Sequence, residues 1–470
     1  MSPFNSLYIR KMCQAFQRLR KIITVEPVVF FYMTGAFLLL PAVQQLILAK
    51  VCQELYNEDI CSQIGNHVEE NQVIQSKSSY ILLAFSAVMS LVSIPPSLLL
   101  GSWSDREGRK LGMILPSICS MVTGGILITV TKVQQLNVYW TILTAFTIGV
   151  SGGHVAIFLS AFSYLSDVSD TDRLTLRIAI AESMVFVGGT AGFLLSGILI
   201  EHFSFTHVFA TYCFCHFLSV FYVLLWLQNP TSVDRRINIL NEVQHQERII
   251  QKLSICTYVK MSFGSVLKKR RLQDRLKLHL LILCTFLLNV CSIGEQNVTL
   301  LFLMYPPRNF SSLLYGGFTS AKMLLSGFCL FGLFPILLHF VGEMTLAKVG
   351  TIMRAASLIL MAFSSNTWMV FLAAGIGAVS GFTQAVVRSV SSRVVEPSEQ
   401  GAMFSIMASV EATCIIIAAG IFNTLYPVTL TNIPGMSFLV MAAFIIITFI
   451  LVQWISEMPV TQQPLLIVEE

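Results

Sequence analysis

Gly101-Ser102-Trp103-Ser104-Asp105-Arg106-Glu107-Gly108-Arg109-Lys110 is a ten-residue charged segment set between two apolar runs, 79–100 and 111–131. Each run is long enough to cross a bilayer as a helix, which takes ~20 mostly apolar residues. So short a connection reads as a tight hairpin. A glycine at each end lets the backbone turn, Asp105 can cap a helix N-terminus or pair with a basic neighbour, and Arg109 and Lys110 hold the turn on the cytosolic side.

Outward from this hairpin the pattern repeats. Further apolar runs lie at 28–49, 138–164, 177–200, 206–227, 278–304, 314–341, 346–365, 367–388, 401–425 and 435–456. With the first pair they make twelve candidate spans. The short alternating segments of a membrane barrel are missing. The fold class is therefore an all-α membrane protein of twelve transmembrane helices in two six-helix halves. Composition agrees: of 470 residues 55% are apolar and 12% charged, with a mean hydropathy of +0.73, whereas soluble domains carry about 25% charged residues. That balance excludes cytosolic enzymes, DNA-binding proteins and secreted disulfide scaffolds.

Only two connections are long, 50–78 and 228–277. The second divides the chain into an N-tail (1–27), a six-helix half (28–227), a central loop (228–277), a second six-helix half (278–456) and a C-tail (457–470). Two halves of this kind are the organisation of a transporter with its substrate site near the midplane. Charge sets the orientation. With both termini cytosolic, the cytosolic segments hold 23 Lys and Arg, against Lys50, Lys77, Lys132 and Arg308 on the other side, an asymmetry that fixes the topology by the positive-inside rule. The acidic 50–78 connection then lies in an oxidising compartment, which favours a disulfide between Cys52 and Cys61 over two free thiols. The sequon at Asn297 falls inside a span, so Asn309-Phe310-Ser311 is the glycosylation candidate.

Six ionisable residues sit inside spans: Glu182 in the fifth, Glu295 in the seventh, Lys322 in the eighth, Arg354 in the ninth, Arg388 in the tenth and Glu411 in the eleventh. A charge in hydrocarbon is costly unless paired or wetted. Three acids and three bases can neutralise one another, which is a purely structural reading. The functional reading is that the acids (Glu182, Glu295, Glu411) take up protons in a low-dielectric cavity, freeing the bases (Arg388, Lys322, Arg354) to attract an anion. Proton and anion binding then favour each other. His154, in a glycine-rich fourth span, is a further candidate proton group. Gly152, Gly153, Gly188, Gly189, Gly192 and Gly197 are read as sites of close helix approach.

The 101–110 segment, placed after the second of twelve spans, resembles the loop signature of the major facilitator superfamily. That resemblance gives Gly101, Asp105, Arg106, Gly108, Arg109 and Lys110 a gating role, latching and releasing the cytosolic side. Val25-Glu26-Pro27, Arg177 to Glu182, Glu399-Gln400-Gly401 through Ser405, and Gly420 through Pro427 are similar to motifs of solute carrier family 46, the proton-coupled folate transporter family. The resemblance implies proton coupling through Glu182 and substrate binding through Arg388, and Glu411 resembles an acid of a lysosomal member. Gly153 and Ser292 stand where the folate transporter has an acid and a histidine, which argues against folate itself.

The partners implied are protons, a small organic anion and the lipid bilayer. Nothing points to nucleic acid, a cofactor or a metal, and no span carries a protease or acyltransferase set. The function expected is proton-coupled symport toward the cytosol of a folate-like, steroid-conjugate, bile-acid or muropeptide-like anion. A non-transporting receptor or scaffold, or a carrier without proton coupling, is the alternative. Leu465-Leu466, in a tail where Thr461 replaces the usual acidic residue, points to lysosomal sorting; the plasma membrane is the other location.

Overall fold

A computed structural model of the chain describes residues 23–62, 67–107, 109–168, 171–227, 272–394 and 400–458. Among these, twelve segments are long and apolar enough to cross a membrane, in the order the hydropathy gives, and no strand is present. Hydrocarbon leaves a backbone no partner but itself, so a chain this apolar closes its hydrogen bonds within helices. The spans are apolar on all sides, as lipid-embedded helices are. The sixth span buries Phe209, Tyr212 and Val223 while exposing Phe214, Phe217, Phe221 and Leu224.

The first six spans are α1 (Glu26–Leu55), α3 (Val68–Glu107), α4 (Arg109–Lys132), the pair α5 (Trp140–Val150) and α6 (Gly153–Val168), α7 (Thr171–His202) and α8 (Phe205–Leu225), with a short α2 (Glu58–Ser62) after α1. The second six are α9 (Leu272–Met304), α10 (Ser312–Phe328) joined by a π turn to α11 (Phe334–Leu338), α12 (Glu343–Ala362), the pair α13 (Thr367–Gly377) and α14 (Gly381–Val394), α15 (Gln400–Thr429) and α16 (Met436–Glu457).

Two expectations change. The 50–78 connection is largely helical, because α1 runs on to Leu55 and α3 begins at Val68. The start of α3 is too polar for the sequence reading, which begins the span at 79, yet Asn71, Gln75, Ser78 and Ser79 are buried and two hydrogen bonds anchor this face: the Ser79 hydroxyl donates to the Asn423 carbonyl at 2.8 Å, and Gln72 Nε2 to the Tyr305 hydroxyl at 3.0 Å. The 101–110 segment is likewise helical through Glu107 and again from Arg109. Gly108 lies outside the described residues.

The chain forms two compact units. The first comprises 23–62, 88–227 and 310–324, the second 67–87, 272–309 and 325–458. The core of the first gathers Val25, Val28, Tyr32, Met113, Ile157, Tyr164, Ala181 and Val223; that of the second gathers Leu278, Leu281, Ala347, Val386, Val390, Met407 and Val452. A disulfide joins Cys52 and Cys61, with Cα atoms 5.9 Å apart. It ties the end of α1 to α2.

Glycines set the spacing of α7 against α1. A Cβ at Gly188 would stand 2.9 Å from the Phe30 carbonyl oxygen, and one at Gly192 would meet the Thr34 carbonyl oxygen and stand 3.0 Å from the Leu38 nitrogen. Close approach of this kind is how helices gain dispersion contact in lipid, where no hydrophobic force acts between them. Gly192→Val is therefore expected to cost about 1–3 kcal/mol by overpacking, whereas Gly125→Val, with nothing within 4 Å of its added Cβ, should leave the melting temperature of purified protein unchanged.

Candidate functional site

The fourth span of each six is interrupted. In the first, α5 ends and α6 begins around Gly152 and Gly153, which adopt φ of 75° and 55°. L side chains rarely tolerate these values and glycine accepts them freely. These two glycines therefore break the helix; the close approach expected of them holds for Gly188, Gly192 and Gly197 instead. In the other six, the tenth span is interrupted by a 3-10 turn over Ala378–Ser380. Interrupted spans at corresponding positions of the two halves are the strongest pointer to a transport site, because irregular backbone survives at membrane depth only where protein or a wetted cavity satisfies it.

Candidate residues follow both breaks. His154 is the second residue of α6 and is exposed. Arg388 lies two turns into α14 and pairs with Glu411 of α15 at 3.2 Å, with 53% and 39% of the two side chains exposed. One turn earlier, Gln384 Nε2 donates to Asn289 Oδ1 at 3.3 Å. Four helical residues separate Gln384 from Arg388, so the two share a face about 6 Å apart along the axis. Hydropathy gave no reason to single out this amide pair. Its only signal was a carboxamide standing within each of two apolar runs.

The second unit holds another ion pair of different character. Arg354 Nη2 of α12 meets Glu295 Oε2 of α9, with only 12% and 8% of the side chains exposed. Sealed from solvent, the two charges balance each other in place. So among the six intramembrane charges, four form two pairs in the second unit. Glu182 on α7, half-buried, and Lys322 on α10, half-buried, belong with His154 to the first unit. Of the gating motif, Gly101, Asp105 and Arg106 lie on the last turns of α3 while Arg109 and Lys110 open α4. Asn309 lies in the α9–α10 connection, exposed and with φ of 46°.

The sequence profile of the Major Facilitator Superfamily matches residues 27–419. The chain belongs to the major facilitator superfamily. Its members are transporters, and the hydropathy, the twelve spans and the paired interruptions are those of a multi-pass carrier of this superfamily. The chain is 27% identical over 455 residues to the lysosomal proton-coupled steroid conjugate and bile acid symporter SLC46A3 of Gallus gallus, covering 93% of this chain and 94% of the relative. It is 27% identical over 434 residues to the proton-coupled folate transporter of Rattus norvegicus, covering 91% of each. Among solved superfamily structures, the human organic anion transporter MFSD10 (TETRAN) superposes with a TM-score of 0.63 at 16% identity, covering 92% of this chain and 99% of that one.

The two ion pairs should respond differently to loss of the acid. Glu295→Gln leaves a buried guanidinium unpaired, expected to cost about 3–5 kcal/mol and to show as a collapse of monodisperse, folded protein on size-exclusion chromatography in detergent. Glu411→Gln, at a pair half exposed on the protein surface, should elute and melt as the wild type does.

Proposed function

We propose that the protein is a symporter that couples the entry of protons to the movement of an organic anion toward the cytosol by alternating access. The observation that carries this is the exposed pair that Arg388, on the span interrupted at 378–380, makes with Glu411 of the next span. A carboxylate that can be reached by solvent can be protonated, and protonating Glu411 removes the partner of Arg388. The guanidinium then offers its planar donor fork to a carboxylate, sulfate or phosphate. Anion binding in turn favours the protonated acid, since coupling between two ligands is reciprocal. The sealed Glu295–Arg354 pair serves as a fixed, self-neutralised element of the same unit. Glu182 and His154, on the fifth and fourth spans, are the proton groups of the other unit, which also carries Lys322 as a candidate anion-binding cation of its own.

The similarity to relatives named as proton-coupled symporters of steroid conjugates and bile acids and of folate supports both the coupling and a bulky anionic substrate. In this reading both termini lie in the cytosol by the charge asymmetry, with the disulfide and a glycan at Asn309 on the opposite, acidic side, either the lysosomal lumen or the cell exterior.

Uptake of radiolabelled estrone sulfate, taurocholate, folate and muramyl dipeptide at pH 5.5 and 7.4 tests the reading; accumulation of every probe indifferent to pH would sink it. For whichever anion is carried, Glu182→Gln should abolish the acid stimulation while the protein still reaches the membrane. Arg388→Ala should raise the apparent KM by about tenfold or more, the range expected when a charged hydrogen bond to substrate is lost.

A further inference from the structure

Two cations outside the candidate site, the buried Lys50 and the half-buried Arg308, make a similar contact in the two units. In the first, Lys50, in the penultimate turn of span one and 4% exposed, donates through Nζ to the carbonyl oxygens of Val133, Gln134 and Leu136 at 3.3, 3.2 and 3.4 Å. These carbonyls directly follow α4, the third span, which ends at Lys132. One turn along α1, Glu54 Oε1 accepts the Val138 N–H at 2.7 Å, so the same helix end holds both edges of the connection between the third and fourth spans.

In the second unit, Arg308 follows span seven, which ends at Met304. Its Nε donates to the Phe302 carbonyl oxygen at 2.8 Å and its Nη1 to that of Ser364, also at 2.8 Å. The guanidinium lies over the Phe302 ring, 3.5 Å from its centroid. Ser364 comes two residues after α12, the ninth span, which ends at Ala362, just as Gln134 comes two residues after the third. Spans seven and nine are the first and third of their six, as spans one and three are of theirs. Among the described residues neither cation comes within salt-bridge distance of a carboxylate, although the Glu54 charge acts on Lys50. Both cations donate to backbone carbonyls of the turns that follow the third and ninth spans, and Arg308 also to that of Phe302 in the last turn of span seven, an acceptor that no intrahelical N–H reaches.

We infer that Lys50 and Arg308 are matched positioning residues, each stapling the end of the first span of its half to the end of the third so that these ends move as one body during transport. The positive-inside count treats both as stray loop charges on the non-cytosolic side. Their backbone hydrogen bonds give both a defined structural place. A lone cation on backbone carbonyls could be an accident of packing, but a like bridge between first and third spans, made by a lysine in one unit and an arginine in the other, reflects a requirement on each unit.

The test is hydrogen exchange on the purified full-length protein in detergent, with near-isosteric Lys50→Met and Arg308→Met. Lys50→Met should speed exchange about tenfold or more in 133–141 and leave 364–371 unchanged; Arg308→Met should do the reverse. Lys50→Arg, which keeps the donors, should restore wild-type exchange. No change in either window, or a rise spread over the whole chain, would overturn the staple, whatever the outcome of the transport assays. The role in movement rests on the symport reading and has its own readout: for the carried anion, both Met variants should lower the maximal rate severalfold at unchanged KM. Faster local exchange with a full maximal rate would reduce the pair to stability alone and overturn their role in transport.

Discussion

Hydrocarbon offers no partner to a charge or a backbone amide, and the rest of this structure follows from that shortage. It forces the chain into helices, because only a helix closes its own hydrogen bonds within one crossing. It leaves helix ends with carbonyls that need donors from elsewhere, which Lys50 and Arg308 supply. It also means that a charge kept at membrane depth must be paired or wetted, so the way each is accommodated carries information about its use. Burial then separates two kinds of pair that a list of charges cannot distinguish. Glu295 and Arg354 sit almost wholly out of reach of solvent; removing either proton acceptor or donor there leaves a desolvated charge, so the pair behaves as one neutral piece of core. Arg388 and Glu411 remain half open, where exchanging a protein partner for water or for an anion costs far less.

Much of this was legible in the sequence, and the reasons are physical. Hydropathy over ~20 residues reports the cost of leaving each segment in water, so the number and order of the twelve crossings could be read directly. The start of α3 escaped because its buried face is polar: Asn71, Gln75, Ser78 and Ser79 recur at helical spacing, and a scale that counts only apolar transfer cannot see a polar face that is nonetheless buried. The break at Gly152 and Gly153 had a visible residue signal, though close packing and positive φ both call for glycine and the sequence alone does not choose between them. The 3-10 turn at Ala378–Ser380 had less, since its residues are ordinary helix occupants. Which acid meets which base was illegible, because Glu295 finds Arg354 and Arg388 finds Glu411 across 59 and 23 residues of chain. The backbone contacts of Lys50 and Arg308 were illegible for a related reason: a topology count records which side of the membrane a cation is on, not what it bonds to.

The contacts that tie each unit together fall into two physical classes. Within the first unit, α1 and α7 meet backbone to backbone at Gly188 and Gly192, a contact of matched surfaces that has no substitute once separated. The segments each unit takes from the opposite half of the chain are held otherwise. Residues 67–87 are bound in the second unit through Gln72 to Tyr305 and Ser79 to Asn423. Residues 310–324 are bound in the first through Ser312, which donates to Gln45 at 2.6 Å, and Ser320, which donates to the Thr190 carbonyl at 2.8 Å. Gly197 and Gly316 cross there without adding a side chain to the seam.

A hydrogen bond between protein groups can be traded for one to water at a net cost near 1 kcal/mol, and the second-unit seam keeps further polar atoms in reserve: Gln75 Oε1, Ser78 Oγ and both side-chain ends of Asn423 are buried without a protein partner. Wetting such a seam would satisfy groups that its closure leaves unmet, whereas wetting the α1–α7 contact would satisfy none. On this ground the polar 67–87 seam costs less to open than the α1–α7 contact. The 310–324 seam is of mixed kind, since Gly197 and Gly316 meet there backbone to backbone beside the Ser312 and Ser320 hydrogen bonds, so amides, hydroxyls and glycines share the work of holding the exchanged segments.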